Sequence, residues 1–252
     1  CGESCGGRTQ FQLKGLIYDK NGTVVAPGVS IPDNINSVED LDNLGLDDCI
    51  TSICPAQDGV MFRVYNHNGA WLFSTNGMIT PHRGWGPRGC RSFLSLFKDI
   101  PLDTSLLDPK LCYYVIMEHT EQTNVVKHDV NSLTLVRAVD VSTLRDLDSQ
   151  ALDDLARTIG VRRVPSCETS YSDVLMAHRT KVLPSPVLAN EVGFIVKLRG
   201  GQAYRVETWK FMHASSLKPN VADPRHQWAE LVSLGSSKDM NTAAEKIKMH
   251  TS

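Results

Sequence analysis

The segment from residue 60 to residue 75 constrains the fold more than any other part of the sequence. Two β-favouring runs, Val60–Tyr65 and Ala70–Thr75, flank the turn Asn66-His-Asn-Gly69. An Asn-Gly pair between such runs is a strong short-range signal for a β-hairpin, because both residues accept the left-handed backbone that tight turns need. The chain is therefore predicted to contain antiparallel sheet, and the remaining elements have to be arranged around this hairpin.

Comparable patterns predict further strands along the chain. One more hairpin is expected near the N-terminus around the turn Lys20-Asn-Gly-Thr23, and another late in the chain around Gly200-Gly201. Two β-rich runs in the middle of the chain are predicted to be buried strands. The predicted strands outside the first hairpin comprise residues 11–18, 24–26, 112–117, 133–139, 194–198 and 203–209.

Three helices complete the prediction. Ser142 can cap a helix with a broad leucine-rich face, and Gly160 is a suitable residue to end it. Further helices are expected over residues 169–181 and, with an amphipathic pattern, over residues 236–250. Strands and helices that do not alternate regularly indicate an α+β fold.

The chain is predicted to form a single domain over residues 10–235. Residues 1–9 are interpreted as a flexible tail and residues 236–252 as a C-terminal amphipathic helix. A length of 252 residues, with 41% apolar and 21% charged residues, is ordinary for a globular protein. The first residue is not Met, so we expect a fragment, a processed product or a trimmed chain.

The composition argues against several classes of protein. No run of 18 apolar residues occurs, which disfavours a membrane span, and the N-terminus lacks the features of a signal peptide. Seven cysteines at irregular spacing predict reduced thiols and a cytoplasmic location. The eight histidines show no HExxH or comparable spacing, so a zinc hydrolase is not expected.

A basic, Gly-rich loop is the candidate nucleic-acid contact. The formal net charge is −2, so attraction to nucleic acid has to come from a local patch. The loop at residues 82–91 carries Trp85 and the cations Arg83, Arg88 and Arg91, a combination typical of RNA-contacting loops. The alternative is a solvated basic loop, and the sequence favours neither.

The run Ala56-Gln57-Asp58-Gly59 precedes the strand that carries Arg63. Asp-Gly permits a tight turn, and the glycine lets the backbone approach a nucleotide closely. Asp-Gly before a strand is also a common turn. The interpretation as a nucleotide site therefore depends on the order and spacing of the motifs that follow.

In that order and spacing the chain resembles the phage-type RNA ligase nucleotidyltransferases, in the branch found in large DNA viruses, over roughly residues 12–232. The resemblance implies an ATP-grasp-like ligase adenylation domain, with antiparallel sheets flanked by helices. It also implies ATP and Mg²⁺ as cofactors and RNA 5′-phosphate and 3′-hydroxyl ends as substrates. In that family a lysine two residues before Asp-Gly carries AMP as a phosphoramidate, and here that position is Ala56.

The other site residues come from the same resemblance. Lys14 takes the place of a basic residue that reaches the ATP phosphates, and Glu118 matches a glutamate that holds the ribose and the metal. Val125 stands at a family arginine. The remaining nucleotide-binding positions by this resemblance are Gln57, Asp58, Gly59, Arg63, Glu191, Gly193, Phe194, Lys197 and Arg205.

The late motifs also depart from the family. The family has a Glu-Gly-Phe-Val motif, which Gly193-Phe194 resembles. In this chain Glu191 lies one residue before the position of the motif's glutamate, and Val192 occupies that position. Arg205 stands for the first lysine of a closing Lys-x-Lys strand, and Glu207 for the second. A glutamate adds negative charge where the family places a cation against the phosphates.

Three explanations of Ala56 follow. It is an engineered substitution, or a natural one with Lys14 as the nucleophile, or the mark of a domain that lost catalysis and kept binding. The hypotheses are therefore an ATP- and Mg²⁺-dependent RNA ligase without its lysine, a silent nucleotide- or RNA-binding module of a larger viral protein, and a structural domain with a vestigial cleft.

Overall fold

The computed structural model describes residues 14–29, 31–35, 50–84, 90–122, 125–164, 192–199 and 202–217. Sheet is the dominant secondary structure in this part of the chain, together with three short α-helices. None of the helices described is long and apolar enough to cross a membrane. The predicted helices at 169–181 and 236–250 lie outside the described residues, and the single-domain boundaries stay a prediction.

A five-stranded sheet, called here the large sheet, is built on the predicted central hairpin. Its strands are β5 (Val60–His67), β6 (Ala70–Thr75), β7 (Leu111–Glu118), β8 (Ser132–Asp140) and β9 (Arg162–Arg163), in the order β6-β5-β7-β8-β9. Asn68 and Gly69 turn the hairpin with φ values of 54° and 79°. Two left-handed residues in succession give the turn whose twist matches that of the strands. The hairpin and the strands predicted at 112–117 and 133–139 are confirmed.

One face of the large sheet carries the main apolar core. Helix α1 (Phe93–Phe97) and helix α2 (Ser149–Ile159) pack on this face. The aromatic ring of Phe97 lies 4.5 Å from that of Phe62 and 5.2 Å from that of Phe73, between ring centroids. Alternate side chains of each strand reach the core, which explains the apolar periodicity of the sequence.

The start of α2 corrects the sequence-based prediction. Gly160 ends the helix with φ 71°, as expected, but the N-cap is Asp148 and not Ser142. The Asp148 side chain accepts a hydrogen bond from the Ala151 N–H at 2.8 Å. Ser142 lies instead in a turn in which the Asp140 carboxylate accepts its N–H and hydroxyl, and Leu144 has φ 57°. The first leucine of the supposed helical face therefore belongs to the loop.

A four-stranded sheet, called here the small sheet, joins distant parts of the chain. It consists of β3 (Asp33–Ile35), β4 (Ile50–Pro55), β10 (Gly193–Leu198) and β11 (Ala203–Glu207), in the order β3-β11-β10-β4. The late hairpin is confirmed over β10 and β11. Thr208 then begins a turn into helix α3 (Trp209–Leu217), where a continuing strand was predicted.

The N-terminal hairpin packs on the second face of the large sheet. Its strands β1 (Ile17–Tyr18) and β2 (Val24–Ala26) pair antiparallel, which confirms the predicted turn. The strand predicted over residues 11–18 is shorter, because residues 14–16 are not in a strand, while residues 11–13 lie outside the described part. Val25, Ala26 and Val29 are buried against this face. The hairpin therefore covers apolar surface that would otherwise meet water.

A row of polar side chains attaches the hairpin to the sheet. Arg63, Tyr114 and Arg137 are direct neighbours across β5, β7 and β8. The Tyr114 hydroxyl donates to the Pro27 carbonyl at 2.8 Å, and Arg137 Nη1 donates to the Gly28 carbonyl at 3.1 Å. Burial raises the pKa of Tyr114, so the phenol stays protonated and remains a donor.

Candidate functional site

The Asp58-Gly59 turn lies between β4 and β5, at the edge where β7 ends. A Cβ atom on Gly59 would lie 2.6 Å from the Met117 carbonyl oxygen and 2.6 Å from Ile116 Cγ2. Side-chain atoms do not approach a backbone oxygen so closely. Glycine is therefore required here because β5 starts in direct contact with β7.

Replacement of Gly59 by alanine is expected to lower the free energy of unfolding by about 2 kcal/mol, because the new methyl forces β7 away from its register. The matched control is Gly77→Ala, since a Cβ at Gly77 meets nothing within 4 Å. Urea unfolding of both variants measures the difference. Equal stability of the two variants would contradict the close contact.

The Asp58 carboxylate holds the chain that follows β7. Its Oδ2 accepts hydrogen bonds from the backbone N–H groups of Val125 and Val126, each at 2.8 Å. Two backbone donors on one carboxylate oxygen fix the direction of this segment. The segment is thereby brought beside Ala56.

Ala56 lies in an apolar cluster that we call the sealed cluster. It is 1% exposed, follows β4 directly, and its N–H donates to the Gly193 carbonyl at 2.9 Å. Val192 and Phe211 are buried with it. The sealed cluster consists of Ala56, Val192 and Phe211, with the partly buried Val125, Val126 and Ile195 packed against them.

Three positions of the ligase resemblance meet in the sealed cluster. The sequence resemblance predicts Ala56 at the family lysine, Val125 at the family arginine and Val192 at the family glutamate. Each of the three is aliphatic here, and their side chains pack together with the ring of Phe211. A charged lysine amine placed among these apolar side chains would lose much of its hydration. The described residues of the sealed cluster do not fit a nucleotide bound next to residue 56 in the manner that the resemblance implies.

Glu118 ends β7 with its carboxylate already bound. It is 8% exposed, and its Oε2 accepts from Arg162 Nη2 at 2.8 Å and from the Ser132 hydroxyl at 3.0 Å. Arg162 was not predicted as a partner of Glu118, although the adjacent cations Arg162 and Arg163 are visible in the sequence. A metal or ribose bound at Glu118 would have to compete with this ion pair.

The cation at the closing strand is neutralised by its neighbour. Arg205 Nε lies 2.9 Å from Glu207 Oε1 on the same face of β11, and its guanidinium carbon lies 5.4 Å from the centre of the Phe211 ring. Gly193, which pairs with Glu207, has φ 133° and would place a Cβ 2.1 Å from the Val206 carbonyl oxygen. The strand that contacts phosphates in the family therefore holds α3 over Ala56 in this chain.

Arg63 has a structural role in the residues described. It is 1% exposed, Nη2 donates to the Thr75 carbonyl at 2.9 Å, and Nη1 contacts the carbonyls of Gly15 and Pro27. Burial lowers the pKa of its guanidinium. These contacts tie the N-terminal hairpin to β5, and a contact of Arg63 with nucleotide stays a prediction.

The other predicted nucleotide-binding residues are distributed between the two sheets. Lys14 is exposed at the start of the N-terminal hairpin, and Lys197 is exposed on β10. Gln57 is half-buried beside Ala56, and Phe194 is buried between Pro55 and Val206 on neighbouring strands. Glu191 lies outside the described residues.

The predicted RNA-contact loop is described only at its ends. Arg83 is exposed, while Arg88 lies outside the described residues. Arg91 is engaged within the protein: Nη1 lies 2.6 Å from Asp99 Oδ2 and 2.9 Å from Glu121 Oε1. The two carboxylates raise the pKa of Arg91, and the guanidinium lowers that of Asp99. Of the three arginines, Arg83 is the one that the described structure leaves exposed to solvent.

Solved structures with the same fold are ATP-dependent ligases. A protein described as an ATP-dependent DNA ligase from Aquifex aeolicus matches with a TM-score of 0.53 and 12% identity over 93% of this chain. An archaeal ATP-dependent RNA ligase matches in two forms, with TM-scores of 0.54 and 0.52, each at 12% identity, over 92% and 88% of this chain. The chain has the nucleotidyltransferase fold of ATP-dependent ligases.

The match is structural and covers part of each relative. The chain spans 66% of the Aquifex structure and 64% and 61% of the two archaeal structures. No model of a known protein family matches the sequence, and no curated protein matches it. An identity of 12% establishes the fold, and the activity has to be argued from the site.

Proposed function

We propose that this chain is a catalytically silent module derived from an RNA ligase adenylation domain, and that it binds RNA without forming a lysine–AMP intermediate. The sealed cluster carries the proposal. Adenylation requires a lysine amine that attacks the α-phosphate of ATP, and neighbouring cations that receive the phosphate charge. Ala56 supplies no amine, the described side chains of the sealed cluster are apolar, and the guanidinium of Arg205 beside Phe211 is already paired with Glu207.

The replacements support a natural loss of catalysis over a single engineered substitution. One lysine changed to alanine in an active enzyme would leave a small side chain among polar partners. Here Val125 and Val192 stand at the family's polar positions and pack against Ala56. Glu207 in addition neutralises Arg205. Aliphatic residues at three separated positions that pack together are consistent with a site that has been converted to an apolar core.

The RNA part of the proposal rests on the resemblance and on exposed cations. Arg83, Lys14 and Lys197 are exposed. Because the net charge of the chain is −2, attraction to a phosphate backbone has to come from exposed cations such as these. The partial coverage of the matched ligases supports a module within a larger polypeptide, which we place in the viral branch of the fold and in the cytoplasm.

A second candidate is an ATP- and Mg²⁺-dependent RNA ligase represented without its nucleophile. The observation in its favour is the strand register at the site. Val60, next to the Asp58-Gly59 turn, pairs with Met117, so the turn and Glu118 lie side by side as ligase chemistry would require. In that case Glu118 would release Arg162 and hold the metal.

Two measurements on the full chain test the proposal. The first is intact-protein mass after incubation with ATP and Mg²⁺, on the chain and on a folded Ala56→Lys variant. We expect no AMP adduct on either. An adduct on the variant alone would establish the ligase candidate, and an adduct on the unmodified chain would identify another lysine, with Lys14 examined first.

The second measurement is binding of fluorescent 5′-phosphorylated single-stranded RNA, followed by anisotropy at two salt concentrations. Binding is expected to weaken with salt, and Arg83→Ala is expected to weaken it about 3-fold or more. Lys20→Ala, at the exposed turn of the N-terminal hairpin, is the matched control. No binding at low salt would reject the RNA-binding module and leave a structural domain.

A further inference from the structure

Three potential metal ligands converge beyond the end of β7, on residues that the proposed function does not use. They are Asp99, which follows α1, and His119 and Glu121, which follow β7. One ligand atom from each of the three residues lies within 4.8 Å of the others. An imidazole and two carboxylates at this separation can meet on a single cation.

The imidazole of His119 is buried and points at the acidic pair. His119 is 1% exposed, and its Nε2 lies 3.3 Å from Asp99 Oδ2, a separation longer than that of an ordinary N–H···O hydrogen bond. Buried polar atoms in native proteins are nearly always satisfied, by protein, water or an ion. A buried imidazole nitrogen beside two carboxylates is therefore the arrangement that a metal ion would complete.

A side-chain cation already lies between the carboxylates. Arg91 Nη1 contacts Asp99 Oδ2 at 2.6 Å and Glu121 Oε1 at 2.9 Å, so the pair is arranged around one positive charge. Arg91 Nη2 in addition donates to the Ser95 hydroxyl at 3.0 Å and to Asp99 Oδ1 at 2.8 Å, and the side chain is 37% exposed. A metal ion therefore has to compete with this guanidinium for the two carboxylates.

We propose that Asp99, His119 and Glu121 form a binding site for a divalent first-row transition metal ion, and that Arg91 occupies this site in the metal-free protein. One imidazole and two carboxylate oxygens suit Zn²⁺ and its neighbours, with water completing the coordination. Ca²⁺ is disfavoured because it requires six to eight oxygen ligands. The site is independent of the proposed RNA-binding function.

Metal binding requires one proton to move. His119 Nδ1 accepts the Glu121 N–H at 3.1 Å, so the neutral ring carries its proton on Nε2. Coordination through Nε2 places that proton on Nδ1, and the Glu121 N–H then loses its acceptor. In the metal-bound form this hydrogen bond is therefore expected to be absent, and the Glu121 amide is expected to exchange with solvent faster than in the metal-free form.

The test is thermal unfolding of the full chain in the presence of ZnCl₂, with CaCl₂ as the control ion. Zn²⁺ is expected to raise Tm and Ca²⁺ to leave it unchanged. Arg91→Gln is expected to bind Zn²⁺ more tightly, because the competing cation is gone. Asp99→Asn and Glu121→Gln are expected to weaken binding at least about 10-fold, while Asp129→Asn, an exposed carboxylate elsewhere, leaves it unchanged.

Two further readouts separate this site from binding at cysteines. Co²⁺ in place of Zn²⁺ is expected to give d–d absorption without a thiolate charge-transfer band. Hydrogen exchange is expected to speed up at the Glu121 amide in the metal-bound chain. Absence of a Zn²⁺ effect in both the unmodified chain and Arg91→Gln overturns the proposal, and so does an effect that Asp99→Asn and Glu121→Gln leave intact.

Discussion

Lysine in place of Ala56 is expected to lower the free energy of unfolding by about 3–5 kcal/mol at neutral pH. Ala56 is 1% exposed and is packed by Val192 and Phe211, so the new side chain must displace them or be buried as a cation. Urea unfolding at pH 7 measures the change. The result decides whether the sealed cluster tolerates the residue that defines the ligase family.

Two control variants separate the effect of the added side-chain volume from the effect of the added charge. Ala56→Met adds similar length without a charge, and Ala70→Lys places the same charge at an exposed position of β6. Burial depresses the folded-state pKa of a lysine, so the unfolded state binds the extra proton between the folded pKa and about 10.4. The stability of Ala56→Lys relative to Ala56→Met is therefore expected to rise with pH across that window. A stable Ala56→Lys chain without this pH dependence would show that the lysine reaches water, and would favour the ligase candidate.

Arg63→Met is expected to lower the free energy of unfolding by about 3–4 kcal/mol, because buried carbonyls of Gly15, Pro27 and Thr75 lose their donor. Arg63→Lys keeps the charge but reaches fewer carbonyls, so its free energy of unfolding should lie between those of the unmodified chain and Arg63→Met. Arg145→Met is the matched control, since Arg145 is exposed, and we expect a change within about 0.5 kcal/mol.

Native-state hydrogen exchange locates the effect of Arg63→Met. The Val29 N–H donates to the Lys14 carbonyl at 3.1 Å, and it reports on closure of the N-terminal segment. Its protection is expected to fall more than that of β7 amides. Equal losses throughout the chain would mean that Arg63 supports the large sheet as a whole and does not specifically attach the hairpin.

Local sequence patterns predicted most strands of the large sheet. They gave the wrong start for helix α2, because tertiary contacts determine which of two equivalent N-cap residues is used. The central hairpin follows from Asn68-Gly69 and the flanking runs, which need no distant partner. Ser142 and Asp148 are both good N-caps, and the ion pair of Asp146 with Arg137 of β8 lies just before the one that the structure uses. No local signal contains that information.

The candidate site was predicted in part for the same reason. Asp58-Gly59 and Glu118 were located from motif order, and they lie side by side across β5 and β7. Phe211 was missed, because an aromatic residue four positions after a strand indicates nothing about Ala56. The proximity of the two depends on the β10–β11 hairpin and on the β4–β10 pairing, and the latter joins residues about 140–150 positions apart.

The two sheets differ in how much of the chain must exist before they can form. All strands of the large sheet come from residues 60–163, whereas the small sheet joins β3 and β4 to strands that begin only at Gly193. At synthesis rates of about 5–20 residues per second, the gap of 30 residues corresponds to roughly 2–6 s. During translation the large sheet is thus expected to act as a preformed platform, while β3 and β4 wait with unpaired edges for β10 to be made. That interval is when the nascent chain is most exposed to edge-to-edge aggregation and has most need of a chaperone.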